Sequence, residues 1–194
     1  MGTVIFHFCG VTNVKTVCLI MSCTLNRGYQ KMKSRTALLL LALSLFFLSG
    51  NVFALQFLKD FEGNIKSLED YTGKGKWTIV MMWAHDCHVC NLEAGNYVAF
   101  HEKHKDRDAI MLGITMDGVE LKKEAMDFIR RHKLNFDNLY GQPEEIAKSF
   151  QQLTGVQWFG TPTFLVFSPT GELMAQQVGA VPTNIIEDFI AKNP

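Results

Sequence analysis

The chain has 194 residues, 47% of them hydrophobic, and no formal net charge, which suits one medium-sized domain plus accessory segments. Residues 1–54 carry five basic side chains (Lys15, Arg27, Lys31, Lys33 and Arg35) and no acid, whereas the remainder holds fourteen basic and nineteen acidic ones. An acidic body without a basic stripe lacks the electrostatic footprint of a nucleic-acid binder.

Residues 32–54, "MKSRTALLLLALSLFFLSGNVFA", read as a secretory signal peptide. Lys33 and Arg35 form its basic start and Ala37 to Leu48 its apolar run. Val52 and Ala54 supply the small residues before an expected cut after Ala54. Twelve apolar residues are short of the roughly 20 that span a bilayer; an uncleaved N-terminal membrane anchor is the alternative. A leader with its own methionine should open a protein. Translation is therefore expected to start at Met32, leaving residues 1–31 as an upstream extension and 55–194 as the mature domain.

Cys9, Cys18 and Cys23 fall upstream, so the mature chain keeps only Cys87 and Cys90. Export places this pair where disulfides persist. Two cysteines are too few to staple a scaffold, and 140 residues bury a core without one. The pair is expected to do chemistry.

From Phe57 the sequence predicts a small hairpin around a Gly-Asn turn, reaching Ile65, then a short helical turn closed by Gly73 and Gly75. "WTIVMMWA", Trp77 to Ala84, is apolar throughout, as in a central strand covered on both faces. A helix is expected from about His88 to Lys105, and a second buried strand over Ala109–Thr115. After an Asp117-Gly118 turn, Leu121, Ala125, Phe128, Ile129 and His132 recur at helical spacing. A short strand within Asn135–Tyr140 precedes a helix opened by Pro143, with Ile146, Ala147, Phe150 and Leu153 as its stripe. "TFLVFS" and "ELMAQQV" flank "PTG" as a hairpin, and Ile185, Ile186, Phe189 and Ile190 mark a closing amphipathic helix. This order predicts a single α/β domain with a mixed sheet.

Cys87 falls where a buried strand meets a helix. Free N–H groups and the positive dipole end favour an anion there, and the thiolate is the nucleophilic form of cysteine. Cys90 follows on the same helical face, within bridging range, and His88 between them adds positive charge. A c-type haem tether would need His where Asn91 stands, and structural zinc needs four ligands. Copper(I) held by His85, Cys87 and Cys90 stays open, as does a structural bridge of little stabilising value. Thiol–disulfide exchange is the leading reading.

"WAHDCHVC" resembles the W-A-x-x-C-x-x-C site of thioredoxin-like proteins, most nearly the exported TlpA/ResA-type thiol–disulfide oxidoreductases. "FEGNIKSLEDYTGKGKWTIVMMWA" and "GVQWFGTPTFLVFSPTGEL" extend the resemblance over residues 57–192. It implies a thioredoxin fold: a mixed central sheet flanked by helices, an N-terminal hairpin, and an inserted strand–helix unit over Asp117–Phe150. It further implies a cis bond before Pro162, packed beside the cysteines. Cys87, Cys90 and Glu93 would be catalytic, with Glu93 assisting proton transfer. Trp83, His88, Thr161 and Pro162 would face the substrate, the Thr161 backbone pairing with an extended segment. No cofactor or metal is implied. The implied partners are disulfide- or thiol-bearing proteins of the cell envelope and a redox partner that recycles the pair. The implied activity is thiol–disulfide exchange with proteins, of protein-disulfide reductase type in preference to oxidase, with the direction of electron flow left open, in the periplasm or otherwise exported.

The chain departs from the pattern. Met81 stands where thioredoxins bury an acid, Asp86 replaces a second Trp, and the helix proline expected near Gly95 is missing. His88 stabilises a thiolate and pushes toward an oxidising couple, while Asp86 pushes back. His101 and His104 read as part of a solvated helix face. Trp158 and Phe159 are candidates for a peptide-binding rim.

Overall fold

Every residue of the apolar run Trp77–Trp83 is buried, and this run forms the central strand, β3. The computed structural model describes residues 58–193. The expectations for residues 1–31, the signal peptide at 32–54 and Phe57 lie outside the described residues. Around β3 stand β1 (Leu58–Asp60), β2 (Ile65–Lys66), β4 (Ala109–Thr115), β5 (Asn138–Tyr140), β6 (Thr163–Phe167) and β7 (Leu173–Val178), in the sheet order β2-β1-β5-β4-β3-β6-β7. The pairs β3–β4 and β4–β5 are parallel and the others antiparallel, so the sheet is mixed. The helices are α1 (His88–His104), α2 (Lys122–His132), α3 (Pro143–Thr154) and α4 (Thr183–Lys192), and Leu68–Asp70 form one short 3-10 turn.

Alternation along β3 feeds two cores. Trp77, Ile79, Met81 and Trp83 join Tyr97 and Phe100 of α1, Phe128 of α2 and Ile186 and Phe189 of α4. Val80 and Met82 join Leu58, Leu112, Ile114, Leu165 and the α3 residues Ile146 and Phe150. A strand covered on both faces has no polar side to show, which is why its sequence is unbroken by charge.

The helix ends follow local chemistry. Pro143 occupies the first turn of α3, where its missing N–H costs nothing. Gly155 closes that helix at φ 73°, a left-handed position that a Cβ would strain. The predicted hairpin forms between β1 and β2, with Leu58 opposite Lys66. Among the described residues no helix is long and apolar enough to cross a membrane.

One surface expectation is overturned. His101 and His104 are buried, at 9% and 4% exposure. The Met111 N–H donates to His101 Nδ1 at 3.1 Å. His104 bridges Asp108 at 2.8 Å and Glu187 of α4 at 3.2 Å. Each ring found partners on other elements, which the helix's own sequence does not reveal.

Candidate active site at the start of helix α1

The parallel register places Trp83 opposite Thr115, so the segments leaving β3 and β4 run side by side at the sheet's C-terminal edge. Crevices at this edge are where open α/β sheets assemble sites. Leaving β3, the chain turns through Ala84, whose carbonyl accepts the Cys87 N–H at 3.2 Å, and α1 begins at His88.

Cys87 is the N-cap of α1, and its sulfur accepts the Cys90 N–H at 3.1 Å. The two cysteines are joined as a disulfide, with Cα atoms 5.2 Å apart. Their environments differ. Cys87 is partly exposed, whereas Cys90 is 0% exposed within the larger core. Of the two residues only Cys87 reaches the surface.

The Thr161-Pro162 peptide bond is cis. Pro162 is buried and Thr161 half-buried. Thr163, the first residue of β6, pairs with Met82 of β3, which sets Thr161 and Pro162 at the same sheet edge as the cysteines. The Pro162 carbonyl accepts the Gly179 N–H at 2.8 Å. Just upstream, Phe159 is 73% exposed, while Trp158 packs against the second core. Val89 and Leu92 of α1 are exposed as well.

Glu93 lies three residues past Cys90 in α1, half-buried, and its carboxylate accepts from Asn96 at 2.8 Å. Below it, the Tyr97 hydroxyl donates to the Val181 carbonyl at 3.1 Å and accepts the Val181 N–H at 3.3 Å. Burial, helped by the Glu93 charge, pushes the Tyr97 phenol up to about 12. His88 is exposed in the first turn of α1.

Trp83, expected to face the substrate, lies beneath the cysteine pair in the core. It is 0% exposed, stacks on Phe128 with ring centroids 4.4 Å apart, and donates to Asn138 Oδ1 at 3.1 Å. It is the floor beneath the site rather than its wall. Met81 likewise lies in the core, 3% exposed.

Two residues were not singled out from sequence. Asp117, read as a turn residue, is buried, with its side chain 3% exposed. It accepts the His85 N–H at 3.0 and 3.2 Å and meets His85 Nδ1 at 2.7 Å. The Thr115 hydroxyl also donates to it, at 2.5 Å. With donors on every side Asp117 is an acceptor, so the His85 Nδ1 proton faces it. Asn91, used only to exclude a haem tether, donates to the His85 carbonyl at 3.0 Å and the Cys87 carbonyl at 2.9 Å. The position of Asp117 at the end of a buried strand, beside another ending in C-x-x-C, was the available signal.

Residues 51–176 match the model of the AhpC/TSA family. The chain belongs to that family. Among curated proteins none matches it. Solved structures share its fold. A thiol:disulfide interchange protein of the thioredoxin family from Chlorobium tepidum aligns with TM-score 0.60 at 20% identity, over 72% of this chain and 93% of that one. A DsbF homologue from Corynebacterium diphtheriae gives 0.60 at 23%, over 72% and 85%. A secreted Mycobacterium tuberculosis disulfide oxidoreductase homologous to E. coli DsbE gives 0.56 at 18%, over 71% and 96%. The fold is thioredoxin-like, as the motifs implied. The bonded Cys87–Cys90 pair thus stands at the start of α1 in a thioredoxin-like fold, in a chain of the AhpC/TSA family.

Proposed function

We propose that the protein is an exported protein-disulfide reductase that works through Cys87 and Cys90. The observation that carries this reading is the asymmetry of the pair: a partly exposed sulfur at a helix N-terminus, bonded to a buried one.

In the reduced pair, the Cys87 thiolate attacks one sulfur of a partner's disulfide. One S–S bond breaks, one forms, and the partner's other sulfur leaves as a thiolate that takes up a proton. The Cys90 thiol then gives up its proton, for which Glu93 on the same helix is the proposed acceptor, and attacks the Cys87 sulfur. The partner's second sulfur departs, and two electrons have passed to it while Cys87 and Cys90 become a disulfide. A thiol-bearing redox partner reverses the sequence on the pair and restores it.

The reducing direction is supported by charge. Asp86 and Asp117 both bring carboxylates within 4.8 Å of the ligand atoms of His85, two residues before Cys87. Negative charge at this spot opposes the thiolate and so favours the disulfide form of the pair, which makes it a better electron donor.

Substrates are proposed to be proteins of the cell envelope. The exposed Phe159, beside Thr161 and Pro162, offers an apolar contact for an extended segment that pairs with the Thr161 backbone. His88, exposed next to Cys87, faces the same approach. Export rests on the leader at 32–54 and its cut after Ala54, with residues 1–31 untranslated. N-terminal sequencing of the mature protein is expected to begin at Leu55.

The test is covalent trapping. In a Cys90→Ser protein, partners should accumulate as reductant-sensitive adducts on Cys87 and vanish in the Cys87→Ser, Cys90→Ser double variant. A redox-silent pair that binds copper(I) stoichiometrically, with no adducts, would replace this reading with metal handling.

A further inference from the structure

His85 is held by side chains at both of its backbone polar groups. Asp117 takes its N–H and Asn91 donates to its C=O. Asn91 also donates to the Cys87 carbonyl at 2.9 Å, which already accepts the Asn91 backbone N–H at 3.0 Å. The loop that presents Cys87 is therefore pinned at three successive points.

The other end of the Asn91 amide is occupied too. Its Oδ1 accepts from Arg131 Nη2 at 2.9 Å and lies 2.9 Å from His132 Nε2. Two carbonyls face its NH2 and the Arg131 guanidinium faces its oxygen, so the amide has one orientation that satisfies all three groups. Arg131 and His132 close the last turn of α2. Asp117 precedes the same helix. Asp117 and the Arg131 that holds Asn91 thus both come from the segment that joins β4 to β5, which contributes no sulfur and no residue of the C-x-x-C motif.

We propose that Asn91 is a positioning residue for thiol–disulfide exchange, bracing the Cys87 backbone and tying it to the Arg131 charge. The inference rests on the reading of Cys87 as the attacking sulfur. The brace keeps the Cys87 sulfur against the Cys90 N–H when the disulfide opens, where that donor and the helix dipole stabilise a thiolate. Through Asn91 it also fixes a permanent cation near a loop that carries the Asp86 carboxylate and meets that of Asp117. Both effects stabilise the reduced pair, so releasing the brace should shift the equilibrium toward the disulfide.

The test is the thiol–disulfide equilibrium of the full-length protein with glutathione, together with the alkylation rate of Cys87 by iodoacetamide at fixed pH and the melting temperature. For Asn91→Ala the equilibrium constant should move toward the disulfide by roughly fivefold or more, and alkylation should slow by a similar factor. Arg131→Gln, at an exposed residue, should move both quantities the same way by a smaller factor that salt removes. The proposal is overturned if both variants keep the wild-type equilibrium and alkylation rate, or move them the opposite way. A lowered melting temperature with an unmoved equilibrium would also overturn it, since Asn91 would then be structural only. Should Asn91→Ala fail to fold, Arg131→Gln alone decides. Failure of the parent reading looks different: no adducts would form on Cys87 in the Cys90→Ser protein at all.

Discussion

Gly113 of β4 offers a sharp test of how the floor of the site is built. It pairs with Met81 on one side and Asn138 on the other. A Cβ placed there would collide with Asn138 Oδ1 and stand 2.8 Å from Trp83 Nε1. In Gly113→Ala the Asn138 side chain must rotate away, which breaks the buried Trp83–Asn138 hydrogen bond. Overpacking costs about 1–3 kcal/mol, and an orphaned buried N–H costs about 1–3 kcal/mol more. Relief of glycine's backbone entropy returns about 0.5–1 kcal/mol, so the net loss should be roughly 3 kcal/mol. In Asn138→Ala the same bond is lost, along with that to the Phe136 carbonyl at 2.7 Å, for about 2–4 kcal/mol. The double variant keeps only the contact with Trp83 Nε1, so it should be less stable than Asn138→Ala by no more than about 1 kcal/mol. Urea unfolding followed by tryptophan fluorescence, with slopes checked for constancy, measures all four corners of the cycle. An interaction of about 2–3 kcal/mol in favour of the double variant is expected. Costs that simply add, within about 0.5 kcal/mol, would refute the reasoning.

Two further predictions concern buried polar groups. Burial, and then the charge of Lys105, holds His101 below the usual histidine range; the unfolded chain therefore binds more protons as pH falls below 6.5, and stability is lost there. His101→Gln keeps an acceptor for the Met111 N–H and should flatten that loss, seen as urea midpoints measured between pH 7 and about pH 5; an equal loss in both proteins would count against it. Tyr97→Phe strands the Val181 N–H and C=O in the interior and should cost roughly 1–3 kcal/mol in thermal unfolding, whereas an unchanged melting temperature would mean that Val181 finds other partners.

The parts of the molecule that could be read from sequence are those set by local pattern. The unbroken apolar run of β3, the helical stripes of α3 and α4, and the Pro143 start each follow from neighbours along the chain. The cysteine pair was legible for the same reason, since a strand-to-helix junction fixes where Cys87 must sit. What escaped were contacts made by register and by crossover. That Trp83 stands opposite Thr115, and so brings Asp117 to His85, depends on a pairing that no single segment encodes. His101 and His104 read as solvated because their helix is rich in charge, yet their partners come from β4, the turn before it and α4. Trp83 drew attention as part of the motif, but its full burial depends on Phe128 and Asn138 arriving from distant elements.

The most direct measurement of the central claim is the rate of insulin disulfide reduction by the wild-type protein and by Cys87→Ser, each supplied with the same thiol reductant. Wild-type protein should accelerate precipitation of the insulin B chain, and the serine variant should fall to the rate of reductant alone. A Cys87→Ser protein that reduces insulin as fast as wild type would contradict the account.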